Sequence, residues 1–219
     1  MEPSMFLTPE ETLEASHTAL LIVDMQKDFC TPGFGAEKAG RDLTMARGVV
    51  PAIAELLEGA RKAGVLVAHV GFSTAPDHRS DSGSWLAQRR RATASSDSLC
   101  ITGTEGEEFI DELAPSPNEY IIRKRRYSAF TGTDLDLILR ARRIETVIVT
   151  GVSTNACVET TARAAFELGY YLAVPTDCCG SWNRDLHEAT LANVRHRFGI
   201  TPTRAEILKI WQPQAALAV

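Results

Sequence analysis

Near-continuous apolar runs, spaced by stretches of helical periodicity, constrain this chain more than any other feature. Four runs stand out: Thr18-Ala-Leu-Leu-Ile-Val23, Val65-Leu-Val-Ala-His-Val70, Thr146-Val-Ile-Val-Thr150 and Tyr170-Tyr-Leu-Ala-Val174. A shorter run, Glu119-Tyr-Ile-Ile-Arg123, makes a fifth. Strands that are apolar without alternation belong to parallel sheets buried on both faces. Between them, Val50, Ile53, Ala54, Leu57 and Ala60 fall on one helical face within 46–63, and Gly64 supplies a stop. Similar patterns span 133–143, 156–168 and 186–198, the last two followed by Gly169 and Gly199. This alternation predicts an α/β fold: a three-layer, doubly wound, mainly parallel sheet with helices on both faces.

The 219 residues are expected to form one domain, 1–219. In such sheets ligands bind at the carboxyl ends of the strands, beside a topological switch point. Two polar segments, 71–98 and 177–185, read as loops at those ends, the first too long for a simple connector.

Charge and composition exclude several partner classes. A net charge of -5 and a pI near 5.6 offer no global attraction to nucleic acid or to an anionic membrane. The basic runs Arg89–Arg91 and Arg123–Arg126 sit in no recognisable nucleic-acid motif. The acidic N-terminus does not read as a signal peptide, and no apolar stretch approaches the ~20 residues that span a bilayer. A cytoplasmic protein is expected. The five cysteines, with no C-x-x-C, are expected to be reduced thiols, and the vicinal Cys178 and Cys179 to be small buried residues.

Three polar residues close or follow strands that this fold would gather together. Asp24 ends the first strand, Lys124 ends the short strand, and Cys157 stands after the Thr146–Thr150 strand, where a helix begins. A cysteine in the first turn of a helix meets the positive end of the macrodipole, which favours the thiolate over a free thiol of pKa ~8.5. A nearby ammonium would act likewise, leaving Asp24 as a proton acceptor. The chemistry this suggests is attack of sulfur on a carbonyl, loss of an amine or ammonia, and hydrolysis of the thioester. Taken singly, each residue has a structural reading: Asp24 as a helix cap, Lys124 in a solvated basic patch, Cys157 as a packed helix residue.

Three ordered segments carry a family resemblance. They are Ala19-Leu-Leu-Ile-Val-Asp24-Met-Gln-Lys-Asp-Phe-Cys30, Lys124-Arg-Arg-Tyr-Ser-Ala-Phe130 with Gly132-Thr-Asp-Leu135, and Gly151-Val-Ser-Thr-Asn-Ala-Cys157-Val-Glu-Thr-Thr161. From about Thr18 to Leu208 the chain resembles the isochorismatase-like cysteine hydrolases, and most resembles their carbamoyl- and ureido-cleaving branch. The resemblance implies a catalytic triad of Asp24, Lys124 and Cys157. It also implies a cis peptide between Val152 and Ser153 and an oxyanion hole built from the Ser153 and Cys157 N–H groups.

Phe29, Tyr127 and Phe130 lie near the triad residues within these segments and are candidates for the pocket wall. Trp85 and Arg89, in the long loop, are candidates for contact with an anionic substrate or a neighbouring subunit. The spacing of a metal-binding branch is missing, since Asp77 and His78 are adjacent, so no metal and no cofactor are expected. The expected substrate is a small amide or ureide. Alternatives that stay open are an ether hydrolase indifferent to Cys157 and a non-catalytic binding protein. Family members are generally dimers or tetramers, and the apolar tail 210–219 is expected to dock on a second subunit.

Overall fold

The computed structural model describes residues 5–91 and 96–212. Its strands are β1 (Thr18–Val23), β2 (Leu66–Phe72), β3 (Tyr120–Lys124), β4 (Thr146–Val152), β5 (Tyr171–Ala173) and β6 (Cys179–Gly180). They form one sheet in the order β3-β2-β1-β4-β5, every pairing parallel, with β6 joining the end of β4 at Gly151 and Val152. The chain reverses its winding between β1 and β4. That is the switch point at which the sequence placed the ligand site.

Among the described residues ten α-helices accompany the sheet: α1 (Pro9–Thr12), α2 (Lys27–Cys30), α3 (Gly35–Lys38), α4 (Thr44–Gly48), α5 (Val50–Ala63), α6 (Gly83–Arg90), α7 (Leu135–Ala141), α8 (Glu159–Glu167), α9 (Arg184–Arg197) and α10 (Arg204–Trp211). The period of two along each strand divides the core between the two faces. Leu20, Ile22, Val67 and Ile148 pack with Ile53, Leu56 and Leu57 of α5 and Ile207 of α10. Ala19, Leu21, Val23, Ala68 and Val149 pack instead with α7, α8 and α9 through Leu139, Ala162 and Leu191. Fully burying each large aliphatic side chain contributes about 1.5–3 kcal/mol, so these two layers dominate the stability of the sheet. The three-layer α/β architecture expected from the strand pattern is the one observed.

Several boundaries differ from the sequence expectation, each for a local reason. The 46–63 helix is two, α4 and α5, because the chain breaks at Val49 and restarts with Pro51 in the first turn. β2 and β4 continue past Val70 and Thr150 to Phe72 and Val152, carrying backbone pairing into the site. The 71–98 segment contains α6, capped by the Ser82 hydroxyl, which accepts from Trp85 N–H. The 177–185 segment contains β6 and buries Cys178, Cys179 and Ser181. The C-terminal region forms α10 and packs on its own chain: Trp211 is buried and its Nε1–H donates to Leu13 O at 2.9 Å. The tail expectation therefore does not hold for Trp211, and its remainder, 213–219, lies outside the described residues.

Gly151 determines how β1 and β4 meet. It pairs with Val23 and has φ +103°, and a Cβ there would overlap the Val23 carbonyl oxygen. Only glycine combines that backbone conformation with so close an approach. The next residues on each side lead to Asp24 and to Cys157. Among the described residues, no helix is long and apolar enough to cross a membrane.

Candidate active site

Asp24 leaves β1 with φ 54°, a left-handed conformation that non-glycine residues seldom adopt, and its N–H donates to Val70 O at 2.7 Å. This turn aims the side chain inward rather than along the sheet. Lys124 ends β3 opposite Phe72 in the register. Alternation along β3 buries Ile122 and Lys124 and exposes Ile121 and Arg123, so Lys124 parts company with the basic run around it. Lys124 Nζ donates to Asp24 Oδ2 at 2.8 Å, with exposures of 0% and 1%. The ammonium also lies 4.8 Å from the centre of the Phe72 ring.

Cys157 stands in a wide turn, Thr154–Val158, that leads into α8, and its thiol interacts with both Asp24 and Lys124. The Val152–Ser153 peptide just before that turn is cis. Ser153 Oγ–H donates to Asn155 Oδ1 at 3.0 Å, which also accepts from Ser181 Oγ at 2.6 Å. Thr154 Oγ1 lies 2.9 Å from Nδ1 of the buried His187, tying the same turn to α9.

The electrostatics depart from the expectation for a helix-terminal thiol. Burial, then the adjacent Asp24 carboxylate, pushes the Cys157 thiol far above its ordinary value, and the Lys124 charge does not reverse this. The dipole of one turn is too weak to offset removal from water next to an anion. Both effects favour the neutral thiol over the thiolate. Burial likewise raises Asp24 above the usual carboxylate range, against the pull of Lys124. For Lys124, burial acts to lower the value, and the Asp24 carboxylate and the Cys157 sulfur more than compensate. Asp24 Oδ1 is buried and has no hydrogen-bond partner of normal geometry among the described residues. The arrangement sets the thiol against the Asp24 carboxylate, with the Lys124 ammonium fixed on the same group.

These groups open onto a cavity of about 230 Å³ lined by Asp24, Ser153 and Cys157 with Phe29, Tyr127 and Arg89. Phe130 is placed elsewhere, stacked on Tyr170 in the core layer next to α8 and α9. Trp85 stands behind the wall, 4.7 Å from Tyr127 and 6.3 Å from Phe72 between ring centres. Arg89 is buried, not solvated: its guanidinium donates to Ser96 O and Thr74 Oγ1 and lies 4.9 Å from the Phe72 ring centre. The sequence reading missed Arg41, Phe72 and Trp182, which also line the cavity. It also missed Gln26, whose amide donates to Phe72 O at 2.9 Å and accepts from Phe72 N–H at 2.7 Å, fixing the ring beneath Lys124.

The histidines are spread through the fold. His69 bonds Glu119 at 2.8 Å, and His78 bonds Asp81 at 2.9 Å. Among the described residues, no three His, Cys, Asp or Glu side chains are grouped to hold a metal ion.

Comparison with known proteins gives the family and the fold. The family profile of the isochorismatase domain matches residues 18–206. The ureidoacrylate amidohydrolase RutB of Agrobacterium fabrum is 34% identical over 205 residues, covering 88% of this chain and 89% of its own. Among solved structures, a cysteine hydrolase from Pseudomonas syringae superposes with a TM-score of 0.80 at 28% identity, covering 97% of this chain and 99% of its own. The N-carbamoylsarcosine amidase of Thermoplasma acidophilum gives 0.68 at 28% identity, covering 86% and 96%. By profile, by sequence and by fold, the chain belongs to the isochorismatase-like cysteine hydrolase family.

Proposed function

We propose that the chain is a cysteine-dependent amidohydrolase that cleaves a C–N bond of a small amide, carbamoyl or ureido compound. The observation that carries this reading is the buried Lys124–Asp24 pair set against the Cys157 thiol in one small cavity. Relatives named for ureidoacrylate and N-carbamoylsarcosine amide cleavage support the bond type.

In this mechanism Asp24 Oδ1 takes the thiol proton as Cys157 sulfur attacks the substrate carbonyl carbon. Proton transfer and attack occur together, which suits a thiol that is neutral at rest. Lys124 keeps its proton and offsets the negative charge that passes between carboxylate and sulfur. The carbonyl oxygen becomes an oxyanion, for which the Ser153 and Cys157 N–H groups serve as donors. Removing one such donor costs about 2.7–4 kcal/mol of transition-state stabilisation in other enzymes. Collapse breaks the C–N bond, and Asp24 returns its proton to the leaving nitrogen, releasing ammonia or an amine. Water then attacks the thioester, Asp24 takes its proton, and the acid departs as the thiol is restored.

Rapid acid quenching and mass spectrometry of the intact protein test the intermediate. A substrate acyl group on Cys157 during turnover is expected; turnover with no adduct, undiminished in Cys157→Ala, favours ether hydrolysis of the isochorismatase kind. We further propose that the protein works in the cytoplasm as a homodimer or homotetramer. Exposed apolar side chains such as Ile121, Leu137 and Leu186 are consistent with subunit contacts. Light scattering after gel filtration checks this, and a strict monomer would refute it.

A further inference from the structure

The charged groups on the cavity wall do not balance. Asp24, Arg41 and Arg89 are the charged residues among those lining it, and Asp24 is already neutralised by Lys124. Two guanidinium groups therefore face the same small space as the Cys157 thiol with no compensating anion on the wall. Arg41 comes from the segment between α3 and α4, and makes no ion pair among the described residues. Its guanidinium lies 4.6 Å from the centre of the Trp182 ring, a neutral partner. Arg89, from the last turn of α6, hydrogen-bonds the neutral Thr74 Oγ1 and Ser96 O and stacks on Phe72, while the Asp81 and Asp97 carboxylates, which do not line the cavity, act on it at longer range.

Arg89 is buried, with the Asp81 and Asp97 carboxylates acting on it from outside the cavity lining, whereas the half-buried Arg41 has no ion pair among the described residues. The face turned to the cavity therefore carries net positive charge for a ligand of opposite sign. The two cations also repel each other, a repulsion that a carboxylate between them would relieve. A planar guanidinium fixed on an aromatic face presents its N–H edge to a carboxylate in two parallel bonds, which a lysine could not reproduce. The aromatic partners restrict both side chains before anything binds, so little rotamer entropy remains to be lost. Nothing of this kind is needed to hold the amide group itself, which Ser153 and Cys157 would receive. A cavity of about 230 Å³ is of the scale that a small acid fills.

We propose that Arg41 and Arg89 are specificity-determining residues that hold a carboxylate on the substrate, so that the enzyme acts on small amide or ureido acids in preference to neutral amides. This rests on the amidohydrolase reading for the bond cleaved, but its test does not.

The Cys157 thiol can report the field of the two arginines directly. Iodoacetate and iodoacetamide are of similar size and alkylate the same sulfur, one carrying a carboxylate and the other neutral. The rate ratio of the two at Cys157, assigned by peptide mass spectrometry, is compared with the ratio for free glutathione. The expected result is a ratio shifted toward iodoacetate by at least about tenfold, lost in Arg41→Gln and reduced in Arg89→Gln, and smaller at high salt. In parallel, calorimetry on Cys157→Ala compares N-carbamoylglycine with N-carbamoylglycinamide. The acid is expected to bind more tightly, with the difference erased by Arg41→Gln and partly kept by Arg41→Lys. A merely structural role for Arg41 would lower the melting temperature and weaken both probes alike. No preference for the anion in either measurement, including no reaction and no binding at all, overturns the inference. Ammonia release from neutral amides without charge preference would leave the Cys157 reading standing and remove this one. Arginine-dependent anion preference without any ammonia release would do the reverse.

Discussion

Lys124 Nζ and Asp24 Oδ2 meet at 2.8 Å across 100 residues of sequence, both essentially without solvent contact. A buried pair of this kind contributes little net stability over an apolar replacement, because the attraction mostly repays desolvation. Breaking it from one side is different. Lys124→Met is expected to destabilise the protein by about 3–5 kcal/mol, since it strands a buried carboxylate. The double variant Asp24→Leu with Lys124→Met should recover much of that loss. Urea denaturation of the three proteins checks it, and additive losses would show that the two groups do not act as a pair.

The raised value of Asp24 has a sign in the rate profile. As a proton acceptor, Asp24 must be ionised before the thiol reacts, so kcat/KM should fall as the pH drops through its raised folded value. The acid limb is therefore expected above the ordinary aspartate value of about 3.9. Ammonia release followed from pH 4 to 9 at constant ionic strength would measure it, within about that range of protein stability. A limb at or below the free-aspartate value would contradict the burial of the acceptor.

Glu119 supplies a second pH effect, remote from the site. It accepts from Arg61 Nε at 2.7 Å, from Ser116 N–H at 2.8 Å and lies 2.8 Å from His69 Nε2. Burial works against its ionisation, but these partners prevail and hold it at about 2, below a reference of 4.5. A depressed carboxyl contributes stability that is present above its unfolded value and lost as the pH falls from about 4.5 toward about 2. Glu119→Gln should cost roughly 2–3 kcal/mol at neutral pH and flatten that acid window. Denaturant midpoints of both proteins at several pH values test this; parallel curves would rule it out.

Gly151 allows the site to exist. A methyl group there would collide with the Val23 carbonyl and would have to adopt φ +103°. Gly151→Ala is expected to lose more than about 3 kcal/mol and to reduce activity at any temperature where it folds. Thermal unfolding and ammonia release on the same preparation measure both. A variant of wild-type stability would mean that β1 and β4 can separate without cost.

The fold was legible because parallel strands covered on both faces must be apolar throughout, and the runs ending at Val23 and Thr150 are. The site was legible only in part. Asp24, Lys124 and Cys157 stand in motifs, but nothing in a basic run marks Lys124 as buried except the alternation with Ile122 along β3. Arg41 and Trp182 lie in connecting segments with no periodicity, and only the folded backbone brings them to the cavity. The α6 helix was hidden because its apolar residues, Trp85, Leu86 and Ala87, are consecutive instead of forming a helical stripe. Phe130 closes the motif that Lys124 opens, yet the chain turns and carries its ring to Tyr170. Sequence shows the helix terminus before Cys157 but neither the burial nor the facing carboxylate, which act against the thiolate.

Cysteine-dependent C–N hydrolysis is tested most directly by ammonia release from N-carbamoyl amino acids, ureidoacrylate-like acids, biuret and primary amides, with wild type and Cys157→Ala side by side. The account predicts release by the wild type from at least one of these compounds and a loss of about 10³-fold or more in the folded variant. Equal release by the two proteins, or silence of the folded wild type across the whole panel, would contradict it.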